Sequence, residues 1–179
     1  MPSSKKENPN SRVVESIQPT RAELLMADVT FDEIETRLRL ITDRIVWCTF
    51  ATVDRSGKPR SRILHPIWEG PTGWIATGRH SHKEKHLASN PFVSLTYWDP
   101  THEQAMIDCE AAWEDGPGEK QRVWTLFRNT PPPLGYDLGM LWKNVEDPTF
   151  GLLRLRPWRI SVGSLGDVMA GKPDIVCHL

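Results

Sequence analysis

The sequence has little cysteine, and its cysteines are poorly placed for cross-linking or for zinc. Cys48, Cys109 and Cys177 are far apart and odd in number, and no two of them form a CxxC motif. This pattern argues against a disulfide framework and against a thiolate zinc site. It indicates a reducing, cytoplasmic setting.

Neither an excess of charge of one sign nor a long apolar run is present. Lys and Arg total 22 against 23 for Asp and Glu, so no strong overall field draws the chain to nucleic acid or to an acidic membrane. No apolar run approaches the roughly 20 residues of a membrane-spanning helix, and the first residues, MPSSKKENPNS, lack the apolar centre of a secretion signal. We therefore expect a soluble protein that binds neither nucleic acid nor membranes.

The length of 179 residues suits one domain. Residues 1–28 are polar and rich in proline and asparagine, which predicts a flexible N-terminal arm. We expect the folded domain to cover residues 29–165 and a C-terminal tail to cover residues 166–179.

The remaining pattern is dominated by short strands. Thr30 and Glu33 form a capping-box sequence before apolar residues at helical spacing, which predicts one amphipathic helix ahead of the sheet. Runs rich in β-branched and aromatic residues then predict strands over 45–53, 60–68, 74–77, 92–98, 104–113 and 152–164, the last interrupted by a proline. The first three strands have no crossover helix between them, which favours a mainly β, closed or nearly closed antiparallel barrel.

The segment 60–91 contains the strongest candidate site. Ser81 and Glu84 form a second capping-box sequence, and a helix start presents free N–H groups to anions. Lys83 opposes the helix dipole there unless an anion offsets its charge. Arg62 lies on a strand that we expect to pair with the strand carrying Thr77, so that its guanidinium reaches the same anion. These residues predict a phosphate cradle; the alternative is that they are ordinary solvated surface groups.

The same residues carry a resemblance to a known family. The sequence GKPRSRIL, a strand ending at Thr77, the triplet Ser81-His82-Lys83, and NPFVSL at 90–95 resemble the flavin-binding core of the pyridoxamine phosphate oxidase-like family over roughly residues 44–114. The resemblance implies a six-stranded antiparallel split β-barrel of the FMN-binding type. It also implies a homodimer with the flavin in a groove between the subunits.

The resemblance also implies roles for individual residues. The flavin phosphate would be held by Arg62, Thr77, Ser81 and Lys83, with Ala76 and His82 in the same binding set. The backbone of Ile63 and Leu64 would follow the edge of the isoalloxazine ring, and Gln104 would come from the partner subunit. We expect Trp142, after the proline-rich segment, to wall the substrate pocket.

The sequence departs from the vitamin B6 oxidase in its last residues. VMAGKPDIVCHL at 168–179 does not resemble the basic, aromatic tail of that enzyme, so we expect a different substrate. The implied activity is a flavin-dependent hydride or two-electron transfer to a small organic molecule, with no acid or base residue identified. One alternative is a deazaflavin-dependent reductase, in which Lys5, Lys6 and Arg12 would bind the longer acidic tail of the cofactor.

Another alternative is a non-enzymatic flavin- or haem-binding protein, with His65 or His178 as an axial haem ligand. His80, His82 and His86 have a spacing that metal sites use. No acidic residue occupies the position that metal hydrolases with an HxHxDH motif require, and no remote ligand set is evident, so we interpret the three histidines as residues of a helix surface rather than as a metal site.

Overall fold

The computed structural model describes residues 26–179, which form one nine-stranded sheet with four α-helices. The strands are β1 (Met26–Asp28), β2 (Cys48–Val53), β3 (Pro59–Leu64), β4 (Ile67–Glu69), β5 (Thr72–Gly78), β6 (Phe92–Trp98), β7 (Glu103–Trp113), β8 (Phe150–Ser164) and β9 (Asp174–His178). The helices are α1 (Phe31–Ile45), α2 (His82–Leu87), α3 (Pro117–Asn129) and α4 (Leu165–Met169). No helix in this part of the chain is long and apolar enough to cross a membrane.

The sheet has the branched order of a split barrel. Its main path runs β1-β9-β8-β7-β6-β2-β3, and β4 and β5 join it through a β5–β8 pair. All pairs are antiparallel except β1–β9. Pairing ends at β1 and β3 on the main path and at β4 on the branch, so the barrel is not closed. The predicted mainly β, antiparallel split-barrel architecture is confirmed, with nine strands in place of six.

Three element boundaries differ from the prediction. Helix α1 has the expected capping box between Thr30 and Glu33 and continues to Ile45, so the first strand after it begins at Cys48. The segment predicted as one strand over 60–68 is two strands, because the chain turns at residues 65 and 66. Strand β8 passes through Pro157 without ending and absorbs it by a shift in register against β7.

The interior consists of two hydrophobic clusters separated by β5. Ile75 belongs to the cluster that fills the barrel beneath α1. Trp74 and Ala76 belong to the other cluster, which α3 covers through Phe127. The five inner residues of β5 are therefore all buried, whereas a strand with one solvent-exposed face would alternate between buried and exposed residues. This double burial fixes the end of β5, which carries Thr77.

The C-terminal residues are not a tail. Strand β9 pairs with β8 on one side and with β1 on the other, and α4 leads into it. The predicted boundary at residue 165 is therefore wrong, since residues 174–178 belong to the sheet. The predicted arm over 1–28 lies largely outside the described residues, and its last three residues form β1.

We predict that β9 contributes to global stability. Val176 is fully buried between β8 and β1, so Val176→Ala should lower the free energy of unfolding by about 1–3 kcal/mol. Val168→Ala is the matched control, because Val168 is exposed and its truncation should change stability by less than about 0.5 kcal/mol. Urea unfolding followed by tryptophan fluorescence measures both, and equal effects would show that β9 is dispensable.

Candidate functional site

Helix α2 begins just after β5 and carries a buried lysine. The Lys83 ammonium donates a 2.7 Å hydrogen bond to the Ser81 hydroxyl, and the Lys83 residue is 7% exposed. The predicted capping box at this helix is wrong, because the Ser81 side chain makes no cap hydrogen bond. The Glu84 carboxylate instead accepts a 3.0 Å hydrogen bond from Arg79. Ser81 therefore orients the lysine rather than the helix.

Arg62 reaches this lysine by a different route from the one predicted. Strand β3 pairs with β2 and not with β5, so Arg62 and Thr77 are not on paired strands. Strand β2 provides the connection through Thr52, whose hydroxyl accepts a 2.9 Å hydrogen bond from Arg62 and lies 2.9 Å from Nδ1 of His86 on α2. Thr52 thus joins the arginine to the helix that carries Lys83.

The charges of Arg62 and Lys83 are not neutralised within the described part of the chain, since neither side chain pairs with a carboxylate there. Burial, and then the nearby charge of Arg62, lower the pKa of Lys83 to about 8. Burial also lowers the pKa of Arg62. Two neighbouring cations that are partly removed from water and lack a counter-ion are arranged to receive an anion. We name Arg62, Ser81 and Lys83 the basic cradle.

A cavity of about 460 Å³ lies beside the basic cradle, lined by Arg62, Arg60, Asp54, His82 and His86. Asp54 accepts a 2.9 Å hydrogen bond from Arg60, and hydrogen bonds from Ser56 and Lys58 hold the pKa of its carboxyl well below the usual range. Asp54 therefore offsets the charge of Arg60 and leaves Arg62 free of it. Burial lowers the pKa of His86, with the charge of Arg62 acting in the same direction.

An apolar cleft of about 550 Å³ follows the ends of β3 and β5. No charged side chain is among the residues that line it. One wall comes from the two strands, and the facing wall comes from the loop after α3. The strand wall contains Ile63, Leu64, Ala76, Thr77 and Gly78; the loop wall contains Pro133, Tyr136, Met140, Leu141 and Trp142.

The loop is held against α3 by a close backbone approach at Gly135. A Cβ atom at this position would lie 1.8 Å from the Thr130 carbonyl oxygen, so only glycine fits. Tyr136 then packs edge-on against Phe127 of α3, and Trp142 packs against Phe150 of β8. Trp142 thus reaches the same cleft as Ile63, Leu64, Ala76 and Thr77.

His65 lies where β3 ends and closes the inner part of the cleft. Its ring is between Trp47 and Tyr136, with centroid distances of 4.9 and 5.0 Å. One ring nitrogen, Nε2, is buried and has no hydrogen-bond partner in the described structure, while the backbone of Leu134 engages the ring. Burial lowers the pKa of His65, so the ring is neutral at neutral pH.

Other candidate residues lie apart from the site or outside the described residues. Gln104 pairs with Gly163 near the far end of β8, whereas Thr77 pairs with Gly151 near its start. His178 lies on β9 beside Asp28, away from the cleft. Lys5, Lys6 and Arg12 fall outside the described residues. Within residues 26–179, no three His, Cys, Asp or Glu side chains are grouped as a metal site.

Comparison with known proteins identifies the family of this chain. The family model for pyridoxamine 5'-phosphate oxidase matches residues 32–132, which is more than half of the sequence. The chain belongs to this family. Pyridoxine-5'-phosphate oxidase of Bos taurus is 42% identical over 60 residues, which are 32% of this chain and 23% of that protein. The chain thus matches about a quarter of the length of the curated oxidases it resembles.

Solved structures of the oxidase family share the fold. A Clostridium acetobutylicum protein related to general stress protein 26 superposes with a TM-score of 0.66 at 11% identity, over 83% of this chain and 96% of that one. An FMN-binding protein of Nostoc punctiforme, related to pyridoxamine 5'-phosphate oxidase, superposes with a TM-score of 0.57 at 18% identity, over 82% and 87% of the two chains. The match to the oxidase family model covers the basic cradle and ends before Tyr136 and Trp142.

Sequence reasoning missed several residues of the site. Thr52 lies within a strand and carries no motif, and only the pairing of β2 with β3 brings it to Arg62. Trp47 and Tyr136 are far apart in sequence and meet only around His65. Arg60 could have been found from the sequence, because it lies two positions before Arg62 on the same strand and alternate strand residues share a face.

Because Lys83 is buried, we predict that its charge lowers the free energy of unfolding when no anion is bound. A lysine whose pKa is lower in the folded than in the unfolded state destabilises the folded state most at pH values below its folded pKa. Lys83→Met should therefore raise the free energy of unfolding by about 1 kcal/mol at pH 7. As the pH rises above about 8, wild-type Lys83 loses its proton in the folded state and the gain should shrink. Lys85→Met on the exposed face of α2 is the matched control.

Chemical denaturation of phosphate-free protein at pH 7 and pH 9.5 measures these differences. An unchanged or lowered stability of Lys83→Met at pH 7 would contradict an uncompensated buried charge.

Proposed function

We propose that this chain binds FMN as a homodimer and catalyses a hydride or two-electron transfer to a small organic molecule. The observation that carries the proposal is the combination of the unneutralised pair Arg62 and Lys83 with an uncharged cleft of about 550 Å³, whose lining begins at Ile63, the next residue of β3 after Arg62. A phosphate ester of a flat, apolar ring needs this combination of a cationic end and an apolar slot. The FMN-binding relative from Nostoc punctiforme supports the same choice of cofactor.

The described residues fit FMN in the following roles. Arg62, Lys83 and Ser81 would hold the phosphate, with His82 at the rim of the neighbouring cavity. Ile63, Leu64, Ala76 and Thr77 would line the ring, and we propose that Gln104 is supplied by the partner subunit. FMN supplies the two-electron chemistry when bound. The protein contributes phosphate binding, ring orientation and exclusion of water.

The cleft itself supports a neutral substrate. None of the residues that line it in this subunit is a cation, so a second phosphate, such as that of pyridoxamine phosphate, would find no partner on these walls. Trp142 and Tyr136 instead offer aromatic surface on the side opposite the strands. We therefore propose an uncharged aromatic or heteroaromatic substrate rather than a B6 vitamer.

The mouth of the cleft supports a dimer. Trp47, Ile63, Met140 and Leu141 are large apolar side chains, each more than half exposed, and they are grouped around one opening. Grouped apolar side chains at a cleft mouth are typical of an interface, whereas single exposed ones are common. A second copy of the chain covering this mouth would also exclude water from the ring.

The cofactor is tested by absorbance and fluorescence titration of the purified protein with FMN and with riboflavin. We expect Lys83→Ala and Arg62→Ala each to weaken FMN binding by about 10- to 100-fold, because each removes a charge-assisted hydrogen bond worth about 1.5–3 kcal/mol. Riboflavin, which lacks the phosphate, should bind all variants alike. Lys85→Ala and Arg55→Ala are exposed controls that should bind FMN as the wild type does.

Titrations with deazaflavin and with haemin separate the alternatives. Preferential binding of deazaflavin would favour the reductase alternative, and a Soret band on adding haemin would favour a haem protein, in which His65 is the histidine of the cleft. A protein that binds none of the three would refute the proposal. Equal FMN affinity in wild-type protein and Lys83→Ala would show that Lys83 does not contribute to FMN binding.

The dimer is tested with a charge at the cleft mouth. Leu141→Glu should shift the protein to monomer in sedimentation velocity at micromolar concentration and weaken FMN binding, because a buried unpaired carboxylate opposes association. Leu40→Glu is the matched control, since Leu40 on α1 is 67% exposed and Leu141 is 64% exposed. An unchanged oligomeric state of Leu141→Glu would place any interface elsewhere.

A further inference from the structure

We propose that His65 is a specificity residue for the cofactor ring, accepting a hydrogen bond at Nε2 from the N3–H group of the oxidised isoalloxazine. This inference rests on the flavin assignment proposed above. It identifies a contact on the ring, whereas the basic cradle acts on the phosphate.

The first observation is that Nε2 of His65 is a buried polar atom without a partner. The residue is 6% exposed, and no hydrogen bond reaches Nε2 in the described structure. A buried acceptor left unsatisfied is costly, so such atoms call for an explanation. His65 lines the apolar cleft, where a bound ring can provide the missing donor.

The second observation fixes which hydrogen bond Nε2 can make. The backbone of Leu134 favours the protonated form of the ring, as a carbonyl oxygen beside it does. Because Nε2 has no partner, we infer that this carbonyl faces Nδ1, and a neutral imidazole with its hydrogen on Nδ1 has a free lone pair on Nε2. His65 therefore presents a fixed acceptor rather than a donor.

The chemistry of the ring supplies one matching group. In the oxidised isoalloxazine, N1, N5 and the two carbonyl oxygens accept hydrogen bonds, and N3–H is the single donor. An acceptor in the cleft is thus complementary to one edge of the ring. His65 is three residues beyond Arg62, about 10 Å along an extended chain, which is comparable to the length of the ribityl linker between phosphate and ring.

One neighbour of the His65 ring lies at the cleft mouth. The Trp47 ring packs 4.9 Å from the His65 ring, and Trp47 is 57% exposed. Because most of its surface already contacts water, a rotation of Trp47 would lose little burial while it widened access to the His65 ring.

The test compares FMN with 3-methyl-FMN, in which a methyl group replaces the N3 hydrogen. The wild-type protein should bind FMN about tenfold more tightly than 3-methyl-FMN, which is the size expected for one buried hydrogen bond. His65→Leu should lose most of this preference, because it removes the acceptor. His65→Gln, which retains an acceptor, should keep part of it.

Each outcome decides between the proposals. Wild-type protein that binds both flavins equally overturns the role of His65 and leaves the basic cradle intact. A preference that persists in His65→Leu assigns the effect to the shape of the pocket and also overturns the role of His65. Wild-type protein that binds neither flavin refutes the proposed function and, with it, this inference.

Discussion

Strand β8 is paired along most of one edge with β7, while its other edge is shared between β5 and β9. One strand therefore holds two different sheet branches, which diverge where β5 pairing ends and β9 pairing begins. The β5 branch packs against α3, and this contact forms the second hydrophobic cluster. The apolar cleft lies where this branch meets the end of β3. The cleft and its loop wall therefore depend on the division of this β8 edge between β5 and β9.

The basic cradle is assembled by contacts between other elements. Its groups come from β3 and from the start of the short helix α2, and Thr52 of β2 contacts both β3 and α2 at 2.9 Å. Helix α2 has only six residues, so its dipole contributes little, and the attraction for an anion comes from Arg62 and Lys83 themselves. Keeping two such cations together without a carboxylate is unfavourable in a protein that has no ligand. The arrangement is understandable if binding an anion is the function of this region.

The sequence predicts the strands and the local motifs better than the contacts between them. Phe92–Trp98 alternates apolar and polar residues and was bounded correctly, and the helix from Phe31 follows its capping box. The turn at 54–59 predicts the pairing of β3 with β2, but the absence of a β3–β5 pair was not predictable, since it depends on the break at His65 and Pro66 and on the burial of β5 on both faces. β9 was missed because DIVCH is short and follows a turn that resembles the start of a tail.

The candidate site has two parts, and only one of them lies inside the family match. Residues 32–132 match the oxidase family and contain the whole basic cradle, so the basic cradle belongs to the part of the chain shared with that family. Pro133, Tyr136, Met140, Leu141 and Trp142 lie beyond that match and form the wall that a substrate would contact. Loops that a rigid sheet positions can vary without disturbing the core, because their backbone runs over the surface. If the proposed function holds, residues 133–142 would therefore be the main determinants of the substrate, because they line the cleft opposite the strands.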